Sequence, residues 1–97
     1  MRVNRISIKK DDGDVVSVRQ IKAGRALLGW SQSDLASASE VSEPTIARLE
    51  SVDGELGGRE ATVQKIRAAL EKGGIHFIEE NGGGQGVRLR KQPKQKR

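Results

Sequence analysis

The sequence predicts a mainly α-helical, compact domain of four or five helices, followed by a β-hairpin and flanked by flexible termini. Three observations lead there. Serines at 17, 31 and 42 each open a segment whose apolar residues recur at helical spacing. Those segments end at Gly29, at Glu40-Val41 and at a glycine-containing stretch, 52–58. After Gly73-Gly74 the pattern changes to two short β-type runs around a glycine-rich turn. The chain has 97 residues and is 34% hydrophobic, with one Trp, one Phe and no Tyr. It is therefore expected to form one domain with a small aliphatic core.

Residues 1–16 read as an N-terminal arm or a short strand pair. Arg5-Ile6-Ser7-Ile8-Lys9 alternates with a period of two, Lys10 to Asp14 is turn chemistry, and Val15, Val16 and Val18 supply a return strand. Ser17 and Gln20 have the spacing of a capping box for a first helix. That helix runs through Ile21, Ala23, Ala26, Leu27 and Leu28 and stops at Gly29. Ser31 caps a short second helix, about 32–39, with Asp34 suited to its first turn and Leu35, Ala36 and Ala38 as its apolar residues. Glu40-Val41 makes a tight turn. Ser42 caps a third helix, with Pro44 in its first turn and Ile46 and Leu49 facing inward.

The stretch 52–58 reads as a loop, and 60–72 as a fourth helix with Ala61, Val63, Ile66, Ala69 and Leu70 available for its buried stripe. A hairpin follows, from Ile75 to Glu79 and from Val87 to Arg90, with Glu79 and Glu80 placed to face Arg88 and Arg90. This hairpin needs a further surface. It packs on the helices, takes a strand from residues 5–9, or pairs with a second subunit through Phe77, Ile78, Val87 and Leu89. The organisation is thus an arm (1–16), a helical domain (17–72), a hairpin (73–90) and a disordered basic tail (91–97).

Composition narrows the function. No Cys excludes disulfides and thiolate chemistry, and a single His, His76, excludes His clusters. No apolar run reaches the ~20 residues of a membrane helix, and no signal peptide opens the chain. The glycine-rich run 82–86 lacks the Lys-Ser/Thr of a phosphate loop, and 11–14 lacks the later acidic ligand of a calcium loop. Trp30 reads as a core plug. A non-enzymatic protein without metal or cofactor, in the cytoplasm, is expected. The formal net charge is +5, but the last ten residues carry +6 and residues 1–87 carry −1. Lys91, Lys94, Lys96 and Arg97 therefore read as nonspecific phosphate contacts.

Two short helices joined by a tight turn, the second capped by serine, make a helix-turn-helix pattern. Here it runs Gln32-x-x-Leu35-Ala36, then Val41-Ser42-x-x-Thr45-Ile46-x-x-Leu49-Glu50, preceded by Arg25-Ala26-Leu27-Leu28-Gly29-Trp30-Ser31. Leu35, Ala36, Val41, Ile46 and Leu49 pack the pair, which leaves the outer face of the third helix free for a DNA major groove.

The pattern resembles the lambda-repressor/Cro-like family, also called the xenobiotic-response-element family, over about 17–72. The resemblance implies a bacterial transcriptional regulator that binds operator DNA, commonly as a dimer. It implies DNA contacts from Gln32, Ser33, Ser42, Glu43, Pro44, Thr45 and Arg48, with Gln32 on a phosphate and Arg48 the strongest candidate for reading guanine. It also implies that Arg25 and Glu50 form a structural ion pair.

Three departures keep a second reading open. Glu40 stands where the family usually has glycine. Glu43 and Pro44 occupy base-contact positions. The span 31–51 carries four acids against Arg48, a formal −3. An acidic reading head must borrow charge from Arg19, Lys22, Arg59, Lys65, Arg67 or the tail. Small alphaproteobacterial relatives that look like this chain include repressors and also antiactivators that sequester quorum-sensing or conjugative-transfer activators. The second reading is thus inhibition of a transcriptional activator protein by direct contact. An antitoxin-like module is a third.

Overall fold

Residues 15–90 are described in the structure, a computed structural model, and among them four helices precede one antiparallel hairpin. The helices are α1 (Val18–Leu28), α2 (Gln32–Ser39), α3 (Glu43–Glu50) and α4 (Glu60–Gly73); the strands are β1 (Ile75–Ile78) and β2 (Gly86–Leu89). The arm residues 1–14, including the expected strand at 5–9 and turn at 10–14, and the tail residues 91–97 lie outside the described residues.

Local chemistry sets the helix starts. Ser17 Oγ accepts from Gln20 N while Gln20 Oε1 accepts from Ser17 N, a reciprocal capping box at α1. Ser31 and Asp34 repeat it at α2. Ser42 caps α3 through Thr45 N, with Pro44 in the first turn, where no amide hydrogen is required. The helix ends differ. Gly29 closes α1 in the left-handed region at φ 73°, but α2 closes on Glu40 at φ 63°, ψ 31°. Glu40 is the only non-glycine residue with positive φ among those described. Its Cβ crowds the backbone there, so glycine would hold the turn at less cost.

The core joins all four helices and the hairpin. Val18, Ile21, Leu35, Ile46, Ile66, Leu70 and Ile75 are almost wholly buried, and Val41, Leu49 and Ala69 lie beside them. Leu28, Trp30, Ala36 and Val63 pack on its margin. On α1, Ala23, Ala26 and Leu27 are exposed, and Gln20 and Gly24 turn inward with Val18 and Ile21. Gly24 faces the Leu70 and Ile75 side chains, and a Cβ added there would meet them at 3.5–3.6 Å, ordinary van der Waals contact. On α2, Ala38 faces solvent, and Ser39 is buried instead, its hydroxyl accepting from Val41 N. Ala61, expected in the α4 stripe, is exposed.

The stretch 52–58 is more than a loop. Val18 N donates to Gly54 O and Leu56 N donates to Val16 O, both at 2.8 Å, and Ser17 bridges Glu55 in antiparallel fashion. This pairing buries Val16 and Leu56. Val16 to Val18 therefore pair with 54–56, and Val18, assigned to a return strand from sequence, is also the first residue of α1.

The hairpin docks on its own chain. Its register pairs Ile75 with Leu89, His76 with Arg88, Phe77 with Val87 and Ile78 with Gly86. Ile75, Phe77, Val87 and Leu89 thus share one face, and Phe77 and Val87 pack against the core. The buried Gln20 closes the open end by donating from Nε2 to Gly86 O at 2.9 Å and Ile78 O at 3.3 Å. At the other end Arg90 N donates to Gly74 O, and Arg90 Nη2 donates to Glu71 O. The expected facing of Glu79 and Glu80 with Arg88 and Arg90 does not occur. The register sets Arg88 opposite His76, and Glu80 instead accepts from the turn amides of Gly82 and Gly84.

Candidate nucleic-acid interface

The angle between α2 and α3 is held from inside by Leu35, Val41, Ile46 and Leu49, with Ala36 half-buried where the helices meet. A polar clamp holds it from the side. Arg25 donates from Nε to Glu50 Oε2 at 2.9 Å and from Nη2 to Glu50 Oε1 at 2.6 Å. Arg25 Nη1 also donates to Trp30 O, and Gln32 Nε2 donates to Glu50 Oε1 at 2.9 Å. The end of α1, the start of α2 and the end of α3 therefore meet at one carboxylate, whose side chain is 3% exposed against 19% for Arg25. Burial pushes the Glu50 carboxyl upward. The hydrogen bonds from Arg25 and Gln32 and the nearby positive charge outweigh that, so it sits below the usual carboxylate range.

This clamp qualifies the role expected of Gln32. Part of its donor capacity is spent on Glu50, and the side chain is half-buried rather than wholly free for a phosphate. Ser33, next in α2, is exposed. On α3, the Ser42 hydroxyl donates to Thr45 Oγ1 at 2.9 Å and also accepts from Thr45 N. These two hydroxyls are engaged with each other. Glu43, Pro44 and Arg48 are exposed, as is Ala47, which was not among the residues expected to face DNA. At 3.6 residues per turn, Glu43, Ala47, Pro44 and Arg48 fall in that order across an arc of about 140°. The buried residues Ile46 and Leu49 lie on the other side, and Glu50, close to Glu43 in phase but about two turns further along, is buried at the end of the helix. The helical phase of position 47 was the signal for it.

Charge arrives from one neighbouring element. A groove of about 590 Å³ beside α3 is lined by Thr45, Arg48, Leu49, Gly58, Arg59 and Thr62. It sets Arg59, at the start of α4, across from Arg48. Of the other cations considered, Arg19 forms a bidentate pair with Asp53, whose carboxyl it holds below its usual range. Arg67 pairs with Glu71 and lies 5.0 Å over the Phe77 ring. Lys22 and Lys65 are exposed.

The hairpin residues named as a partner surface divide. Phe77, Ile78 and Val87 are half-buried in their own chain, and Leu89 is 43% exposed. The tail residues Lys91, Lys94, Lys96 and Arg97 lie outside the described residues. Their point of departure, Arg90, is tied to Glu71 and Gly74. The adjoining Gly73 lies against Trp30, which directly precedes the α2 cap.

A family profile described as helix-turn-helix matches residues 21–77, from within α1 to within β1. The chain belongs to the helix-turn-helix family, Cro/C1 type. The match spans more than half of the protein and contains the whole α2–turn–α3 unit. It points to a DNA-binding transcription regulator, a regulatory rather than catalytic class. A search of curated proteins finds no match. Among the described residues no helix is long and apolar enough to cross a membrane.

Proposed function

We propose that this helix-turn-helix protein is a bacterial transcriptional regulator that represses by occupying operator DNA, with α3 in the major groove. The observation that carries the reading is the exposed outer face of α3, presented by a helix pair clamped at Glu50. Arg48 grips guanine O6 and N7 with its fork, and Glu43 accepts from cytosine N4. Arg59, across the groove from Arg48, supplies phosphate charge that α3 lacks. Gln32 and Ser33 meet a phosphate at the start of α2, with Ser42 and Thr45 lining the edge of α3. The seven residues after Arg90 span up to about 24 Å when extended, and Lys91, Lys94, Lys96 and Arg97 follow the DNA backbone over that reach. A homodimer reading two half-sites about one helical turn apart fits this mode, with Leu89 the hairpin residue most open to it.

The test is binding of the full chain, and of a chain ending at Arg90, to duplexes from its own promoter region across a range of salt. Sequence-specific binding that survives the truncation and is lost in Arg48→Ala is expected. Weak, sequence-blind binding that vanishes with the tail would end the operator reading. The antiactivator reading rests on the departures at Glu40, at Glu43 and Pro44 and in the acidic charge of residues 31–51, together with a resemblance to small antiactivators, and has no support from the family match.

A further inference from the structure

The turn between β1 and β2 is open to solvent and holds an Asn-Gly pair. Asn81 and Gly82 are both exposed. Gly82 takes φ 103°, and beyond its chain neighbours nothing lies within 4 Å of where a Cβ would stand. Glu80 Oε2 accepts from Gly82 N at 3.0 Å and from Gly84 N at 3.3 Å. Asn81 Oδ1 accepts from Gly83 N at 3.3 Å, which folds the side chain back over the peptide that follows. We infer that Asn81 is a modification site where the chain deamidates itself: Gly82 N attacks the Asn81 side-chain amide, with the Glu80 carboxylate as proton acceptor.

Each contact has a part in the step. The peptide nitrogen is a weak nucleophile until a base takes its proton, and Glu80 Oε2 lies within reach of that proton. As the bond from Gly82 N to Asn81 Cγ forms, the carbonyl electrons move onto Oδ1. The Gly83 amide already donates to that oxygen and stabilises the developing charge. Collapse of the adduct breaks the Cγ–Nδ2 bond. Nδ2 takes up the proton held by Glu80 and leaves as ammonia, and a cyclic imide remains. Water then opens the imide at either carbonyl, to aspartate or to isoaspartate. The absence of a side chain at Gly82 leaves the attacking nitrogen unshielded. The Asp53-Gly54 pair has the same spacing, but Arg19 holds both of its carboxylate oxygens. Either product at 81 sets a new carboxylate beside the exposed Glu79 and Glu80. Isoaspartate also lengthens the main chain by one carbon between Ile78 and Gly86, the pair whose carbonyls Gln20 holds. The hairpin therefore carries the change, and the chemistry is independent of what α3 binds.

In the experiment the full chain is incubated in mildly alkaline buffer, digested at mildly acid pH and read by mass spectrometry. Isoaspartate is counted with a methyltransferase that accepts only that residue. Asn4, which Arg5 follows, is the internal reference. Conversion at Asn81 to both products is expected while Asn4 stays unchanged. Glu80→Gln should slow conversion at Asn81 several-fold in the native chain. The difference should vanish in concentrated urea, where Glu80 is no longer held against Gly82 N. Asn81 as durable as Asn4 overturns the inference. So does a Glu80→Gln chain that converts as fast as the wild type, or one slowed equally in urea, because conversion then owes nothing to the fold.

Discussion

Replacing Arg25 with alanine tests the clamp at Glu50. In the native protein the Glu50 carboxylate, 3% exposed, accepts from Arg25 Nε, Arg25 Nη2 and Gln32 Nε2. Arg25→Ala removes two of these bonds and the compensating charge, and leaves a buried carboxylate held by one neutral amide. Breaking a buried pair from one side costs about 3–5 kcal/mol. The lower end applies here, about 3 kcal/mol, because the Gln32 bond survives and the 19% exposure at Arg25 admits water. Urea unfolding at pH 7 should show this as a lower midpoint at unchanged slope.

The pH dependence gives a second check. The native carboxyl sits below the ordinary value of about 4.3. Its contribution is therefore complete above that value and is lost as pH falls through the depressed one. In the variant only the Gln32 bond and the charge of Lys22 oppose burial, so the carboxyl moves up from its native position. The penalty is present above the raised value and is relieved as acid neutralises the group. The stability gap between the two proteins must then narrow from pH 7 toward pH 4. Replacing both partners with leucine should recover much of the loss, since an apolar pair leaves no charge stranded. A gap below about 1 kcal/mol at pH 7, or one that stays constant with pH, would refute this reasoning.

Glu40→Gly should stabilise the protein by about 1 kcal/mol in chemical unfolding, because glycine relieves the left-handed closure of α2. Gly73→Ala places a Cβ 3.0 Å from two Trp30 ring atoms and 3.1 Å from Leu28, so the indole must move. A cost of about 1–3 kcal/mol is expected, with a shift in the emission of the single tryptophan as the readout. Gln20→Ala breaks the α1 capping box and both bonds to the hairpin carbonyls. About 2 kcal/mol should be lost, and hydrogen exchange should accelerate first at the strands of the hairpin. Protection there that falls no faster than in α2 would count against the latch.

The helices were legible because their punctuation is local. A serine meets an amide three residues on, and Gly29 ends a helix by its own backbone freedom, whatever lies elsewhere in the chain. The core of the helix pair was legible for the same reason, since Leu35, Val41, Ile46 and Leu49 follow from helical phase and turn length. Their spacing carried the resemblance to a helix-turn-helix, and that resemblance implied the Arg25–Glu50 pair.

The tertiary structure decided what joins residues far apart along the chain. Gln20 looks like a capping residue and nothing more until Gly86 O, 66 positions away, meets its amide. Leu56 reads as a loop residue until residues 54–56 pair with the start of α1. Whether the hairpin would pack inward or seek another subunit was open because its apolar face suits either. The bonds from Gln20 and Arg90 direct it inward. Charge beside α3 followed the same rule: Arg19, Arg59 and Arg67 looked alike as cations. Packing ties Arg19 to Asp53 and Arg67 to Glu71, and brings Arg59 to the groove beside Arg48. Capping and helical phase act over one or two turns, so the sequence displays them directly. Which distant groups share a surface depends on how the finished helices pack.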